Sequence, residues 1–191
     1  MCALAWVPPE HRLDAAAERA RYETHENDPA DPGYRQFLDR LASPLIQRLR
    51  PGDQGLDYGS GPGPTLSLML AEAGFPTAIY DPFFASDPTP LTRAYRFITC
   101  TETVEHFYQP AGELDRLDSL LKPGGLLAVM TRPRDGEDLE SWWYARDPTH
   151  VCFYHSRTMR WIAESRGWAL ERPHPHVFLF RKPVQKSDNS V

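Results

Sequence analysis

In Leu56-Asp57-Tyr58-Gly59-Ser60-Gly61-Pro62-Gly63 a short strand pattern runs directly into three glycines spaced two apart. Few folds accept that arrangement. Glycine enters backbone conformations closed to other residues and lets a ligand approach the main chain closely. Pro64 then opens a helix whose apolar residues Leu66, Leu68, Met69 and Leu70 end at a Gly74 stop signal. A second strand, Thr77–Tyr80, closes on Asp81, which lies 20 residues beyond Gly61. A strand, a glycine turn, a helix N-terminus and a carboxylate at that distance suit an adenosine-type cofactor, with the acid on the ribose hydroxyls. The alternative reading is that the glycines serve the turn alone.

The alternation continues to the C-terminus. The pattern predicts strands over Gln54–Tyr58, Phe97–Thr101 and Leu126–Thr131. Helices are expected from Pro110 to Leu121, and from Ser156, read as the cap, to Arg166 with Gly167 as its stop. Strands separated by helices imply a Rossmann-like, doubly wound α/β fold with a mostly parallel sheet. Trp168–Glu171 and Val177–Arg181 are joined only by a Pro173-His174-Pro175 turn, too short for a parallel crossover, so an antiparallel hairpin is expected. The first 53 residues read as a helical cap on the same domain, helical over 10–21 and again after Asp31-Pro32-Gly33. In that second stretch Phe37, Leu38, Leu41, Leu45 and Leu49 recur at helical spacing, and Pro44 predicts a kink or a break into two helices. The core is placed at 54–182 and a flexible tail at 183–191.

A length of 191 residues, with 41% hydrophobic and 25% charged, fits one α/β domain and neither a disordered nor a membrane-embedded chain. The opening residues lack a basic region, so no signal peptide is expected, and the three cysteines, Cys2, Cys100 and Cys152, make no disulfide framework. A cytoplasmic protein is expected. Residues 1–150 carry 14 Lys and Arg against 23 Asp and Glu, which argues against nucleic-acid binding. The last 41 residues carry 7 against 3, either a solvated face or a contact for an anionic substrate.

The motif order resembles the class I S-adenosylmethionine-dependent methyltransferases. Asp57–Gly63 is similar to that family's first motif and Tyr80-Asp81-Pro82 to its second. Thr101-Glu102-Thr103-Val104-Glu105-His106 resembles its fourth-strand motif, and Leu120–Leu127 its turn into the fifth strand. Trp142-Trp143-Tyr144 and Asp147–Tyr154 look like a bacterial branch near the quinone-biosynthesis O-methyltransferases. The resemblance implies S-adenosylmethionine as cofactor and a small-molecule methyl acceptor; the acidic body and the lack of a long apolar run predict no nucleic-acid or membrane partner. It implies that Gly59, Gly61 and Gly63 lie against the cofactor, that Asp57 anchors the loop near the methionine amino group, and that Asp81 with Pro82 holds the ribose. Thr101 and Glu102 would border the methyl group. Phe83 and Phe84 either stack on adenine or cover the sheet edge. Only 16 positions separate Asp81 from Phe97, so the third family strand is expected to be missing or vestigial, and Arg96 stands where the family commonly has an aspartate.

A hydroxyl acceptor needs a base, and His106 and His150 are the candidates, a structural role being the alternative for each. Tyr22 and His25 are candidate lid residues. Trp142, Trp143, Tyr144, Phe153 and Tyr154 are dense enough to line an aromatic pocket, with core packing as the alternative. His150, Cys152 and His155 do not have a zinc spacing, so no metal is predicted. A nicotinamide-dependent oxidoreductase and a non-catalytic cofactor-binding module remain alternatives. Asp57 weighs against the oxidoreductase, because that family places an apolar residue there.

Overall fold

The computed structural model describes residues 2–24 and 27–184. Its main sheet has six strands: β2 (Gly55–Tyr58), β3 (Thr77–Tyr80), β4 (Tyr95–Thr101), β5 (Leu121–Met130), β7 (Ala169–His174) and β8 (Val177–Arg181). They lie in the order β3-β2-β4-β5-β8-β7. The first four run parallel, β8 is antiparallel to β5, and β7 pairs antiparallel with β8. A second, two-stranded sheet, not anticipated from sequence, pairs β1 (Ala5–Trp6) with β6 (Cys152–Phe153). It ties the N-terminus to the segment that follows β5.

The edge beyond β3 matches the short Asp81–Phe97 interval. Asp81 and Ala85 exchange backbone hydrogen bonds of 3.0 and 3.1 Å, a 3-10 turn spans Thr89–Thr92, and the chain enters β4 directly. No strand lies outside β3 among the described residues.

Alternation along the strands sets the two faces. On β5, Leu127 and Val129 join Leu56, Ile98 and Cys100 on one face, covered by α4 (Pro110–Leu120) through Leu114 and Leu117 and by α5 (Ser156–Arg166) through Ile162. Leu126, Ala128 and Met130 point the other way with Phe97 and Leu179. There they meet Leu38, Leu41 and Leu45 of α2 (Pro32–Ile46) and Leu66 and Leu70 of α3 (Thr65–Glu72). Of the segment expected as a cap, α2 thus forms part of the core layer. It remains one helix through Pro44, which falls in its last turn and forfeits only its own N–H bond back to the Arg40 carbonyl.

The N-terminal helical stretch is shorter than expected: a 3-10 turn at Pro9–His11, then α1 (Ala15–Tyr22), whose Asp14 cap accepts from Ala16 N and Ala17 N at 3.0 and 2.9 Å. The cap of α5 is His155, not Ser156; its ring Nδ1 accepts from Arg157 N at 3.0 Å. Gly167 ends that helix in the left-handed conformation. Strand β5 begins five residues before the expected Leu126, and its pairing with β4 shifts register between Tyr95 and Phe97.

Candidate active site

The C-terminal ends of β2, β3 and β4 open into a cleft of about 1070 Å³. Gly59 and Gly61 adopt φ of 78° and 66°, values that other residues reach only with strain. A Cβ at Gly59 would also stand 2.2 Å from Thr103 Cγ2. The turn is fastened to the next strand: Gly59 N donates to Tyr80 O at 2.8 Å and Gly61 N to Asp81 Oδ2 at 2.9 Å. The other oxygen of Asp81 accepts from Phe83 N and Phe84 N at 2.8 and 3.0 Å. Three of roughly four acceptor positions on this buried carboxylate are therefore filled from the backbone, leaving about one for a hydroxyl in the cleft.

Gly59, Gly61, Asp81, Pro82, Phe83, Thr101 and Glu102 all line the cleft. Two expected cofactor contacts do not. Gly63 is pressed against Asn27, whose carbonyl oxygen would lie 2.2 Å from a Cβ there. Asp57 is buried below the loop, with Thr99 Oγ1 donating to its Oδ1 at 2.6 Å. Burial raises the Asp57 carboxyl to about 6; the Thr99 bond opposes this shift and nearby Asp81 adds to it. Its effect on the cleft runs through β2 and the loop.

At the tip of β4, Glu102 is a non-glycine residue with φ of 48°, held there by its N–H donating to Met130 O at 2.8 Å. Burial, and then the Glu105 carboxylate, raise its carboxyl to about 8 against the opposing pull of Arg132, Tyr144 and Arg40. The hydroxyls of Ser60 and Thr101 are buried in the cleft wall and have no hydrogen-bond partner among the described residues. Buried polar atoms of that kind suit a polar ligand.

At the other end, His106 and His150 stand with ring centroids 4.9 Å apart. Nδ1 of His106 is 2.9 Å from Thr149 O, and Nδ1 of His150 is 2.7 Å from Tyr144 O. Burial lowers the His150 pKa, while the Glu105 carboxylate pulls it upward. Tyr22, at the end of α1, packs edge-on against His106 and against Phe83, with centroids at 5.2 and 5.5 Å. Its hydroxyl donates to Glu18 at 2.7 Å, and Arg21 pairs with Asp147 at 2.7 Å, so α1 bridges to the loop after β5. His25, the other lid candidate, lies outside the described residues.

Of the five loop aromatics only Trp143 and Tyr144 line the cleft. Trp142 and Phe153 pack together in a small apolar cluster, and Tyr154 belongs to the main core. Phe84 lines the cleft beside Phe83, while Arg19 stands 5.9 Å over its ring. Sequence reasoning passed over Tyr34, Phe37, Asn27 and Glu18, brought to the cleft by α1, α2 and the segment between them. It also passed over Glu105, although a carboxylate between Val104 and His106 in a strand-end motif was a usable signal.

A mostly parallel sheet with the order β3-β2-β4-β5-β8-β7, antiparallel only at β8 and β7, and a glycine loop tied to an acid at its switch point define a Rossmann-like nucleotide-cofactor fold of the methyltransferase type. The sequence profile of the methyltransferase domain matches residues 31–172. The chain belongs to this family of S-adenosylmethionine-dependent methyltransferases. Among curated proteins it is 32% identical over 81 residues to the ubiquinone biosynthesis O-methyltransferase of Photorhabdus laumondii, an alignment covering 42% of this chain and 34% of that one. It therefore spans about a third of the length of that relative. A solved 1,6-didemethyltoxoflavin-N1-methyltransferase from Burkholderia thailandensis, with bound 1,6-didemethyltoxoflavin and S-adenosylhomocysteine, shares the fold. Its TM-score is 0.63 at 16% identity, over 94% of this chain and 95% of that one. An O-methyltransferase family protein from the same organism gives 0.61 at 13% identity, over 93% and 63%. No helix among the described residues is long and apolar enough to cross a membrane.

Proposed function

We propose that the protein transfers a methyl group from S-adenosylmethionine to a hydroxyl oxygen of a small, aromatic-bearing molecule. The observation that carries this reading is the loop at Gly59–Gly61, bonded to the Asp81 carboxylate, beside the buried hydroxyls of Ser60 and Thr101, which have no hydrogen-bond partner among the described residues. Those groups fit the polar parts of an adenosine-bearing ligand. Asp81 would accept from a ribose hydroxyl, the Gly59–Gly61 backbone would lie along the ligand, and Phe83 would face the base. Thr101 and Glu102 would border the reacting end. When bound, the cofactor supplies a methyl carbon on a sulfonium: the carbon–sulfur pair stays on sulfur as the acceptor oxygen forms its bond to carbon.

The chain's own part is positioning and exclusion of water. Trp143 and Tyr144 offer flat apolar surface for an aromatic acceptor at the His106–His150 end, where its hydroxyl proton would leave. Tyr22 and the Arg21–Asp147 pair close the near side. The test is equilibrium titration of the purified chain with S-adenosylhomocysteine and, separately, NAD, followed by a methyl-transfer assay across phenols and catechols. Saturable binding of the first ligand alone, with methyl ether product, is expected. Preferential binding of NAD, or binding without transfer to any hydroxylated acceptor, would overturn the assignment.

A further inference from the structure

Arg132 follows the end of β5, and its guanidinium lies 4.8 Å over the ring of Trp143. Arg40, on α2, lies 5.3 Å over the ring of Phe37. Both rings line the cleft, and Trp143 is 60% exposed, so its surface is open to a ligand. Neither guanidinium has an ion pair or a side-chain hydrogen bond among the described residues, whereas Arg172 is matched by Asp135 at 3.2 Å. A guanidinium held flat on a ring keeps its edge N–H groups directed outward, pre-set for an oxyanion.

The two arginines approach one place. Each acts on the Glu102 carboxyl inside the cleft, and each on the ring of His176 in the turn between β7 and β8. The backbone fixes that turn beside the end of β5, because Thr131 N donates to His176 O at 3.0 Å. Strand β8 is antiparallel to β5, so its start and the end of β7 lie at the same end of the sheet as the cleft. His174 and His176, with ring centroids 5.4 Å apart, are both held below the ordinary imidazole value. Burial is the first cause and the surrounding cations the next, Arg40 for His174 and Arg132 foremost for His176. The charge there is positive and uncompensated, since the Glu102 carboxyl stays mostly protonated below about 8. Nδ1 of His174 accepts from His176 N at 3.2 Å, which leaves its ring proton on Nε2 as a further donor.

We propose that Arg40 and Arg132, beside the turn that carries His174 and His176, bind an oxyanion, carboxylate or phosphate, borne by the methyl acceptor. This rests on the cleft being the methyl-transfer site, and it makes the acceptor a hydroxylated aromatic acid instead of a neutral phenol. The acceptor ring lies against Trp143 and Tyr144, with its hydroxyl toward the reacting end of the cofactor and its acid toward the guanidiniums. Paired N–H edges suit either oxyanion, and stacking on Phe37 and Trp143 spares the two long side chains part of the entropy lost on binding. The site draws on α2, the residues after β5 and the β7–β8 turn, so no local motif marks it in the sequence.

The test is calorimetric titration of the full chain, both ligand-free and loaded with S-adenosylhomocysteine. The probes are the ortho, meta and para hydroxybenzoates, the matching hydroxyphenyl phosphates and, as neutral controls, the hydroxybenzamides. At least one acid is expected to bind roughly tenfold more tightly than its amide. R40Q and R132Q, their folding checked by melting transitions, are each expected to remove roughly five- to tenfold of that affinity and to leave amide binding unchanged. The arm that shows the preference identifies the oxyanion. Acids that bind no better than their amides, absence of binding included, would overturn the proposal, as would an acid preference intact in both variants. Weaker S-adenosylhomocysteine binding in the variants, with acid binding to the ligand-free chain untouched, would assign the arginines to the cofactor's own carboxylate and overturn it too. Failure of the wild type to bind S-adenosylhomocysteine defeats the methyltransferase reading instead, and is read separately from the acid–amide comparison on the ligand-free chain.

Discussion

Replacing Asp81 by Asn changes little in shape and much in hydrogen bonding. The carboxylate accepts from Gly61 N through one oxygen and from Phe83 N and Phe84 N through the other. In D81N the amide oxygen is expected to remain with Phe83 and Phe84, because two donors converge there. The NH₂ group then faces Gly61 N–H, donor against donor. One charge-assisted bond is lost, about 1.5–3 kcal/mol, and the remaining acceptor position for a ribose hydroxyl disappears with it. Since about 1.4 kcal/mol is tenfold in affinity, S-adenosylhomocysteine should bind at least 10- to 100-fold more weakly. Calorimetry with both proteins measures this, and urea unfolding of the ligand-free forms reports how much of the loss is a loosened loop. Affinity within twofold of wild type would refute both the ribose role and the view that this side chain sets the loop.

Other substitutions probe separate parts of the structure. Asp57 has its carboxyl raised from 3.8 to about 6, so between those values the folded state binds more protons than the unfolded state and stability falls as pH rises. Two units correspond to about 3 kcal/mol at most; D57N should flatten the stability profile between pH 4 and 7, and parallel urea-derived profiles would contradict the burial argument. G59A combines a φ of 78° with a Cβ 2.2 Å from Thr103 Cγ2, so a loss of about 2–4 kcal/mol is expected by thermal or urea unfolding. R21A removes a half-exposed ion pair with Asp147, worth under about 1 kcal/mol to stability. If α1 closes the cleft, stopped-flow should nevertheless show faster release of S-adenosylhomocysteine; an unchanged rate would assign the pair to the surface alone.

The local grammar of the chain was enough for the strand, glycine turn, helix and acid of 54–81, because glycine conformation, helix stops and apolar alternation are properties of neighbouring residues. The short Asp81–Phe97 interval likewise reveals the reduced sheet edge through chain length alone, and the short link between the last two strands reveals its antiparallel end, although β7 runs on through Pro173 and His174 and the turn itself falls at Pro175-His176. Identity of residues gave no means to separate Trp143 and Tyr144, which reach the cleft, from Trp142, Phe153 and Tyr154, which pack inside. Nor does it distinguish Gly61, open to the cleft, from Gly63, covered by Asn27. Those distinctions arise when α1, α2 and the β1–β6 pair fold over the strand ends. Only that folding sets Glu105 and His106 beside His150, across a separation for which no spacing pattern exists, and turns both ring Nδ1 atoms onto carbonyls.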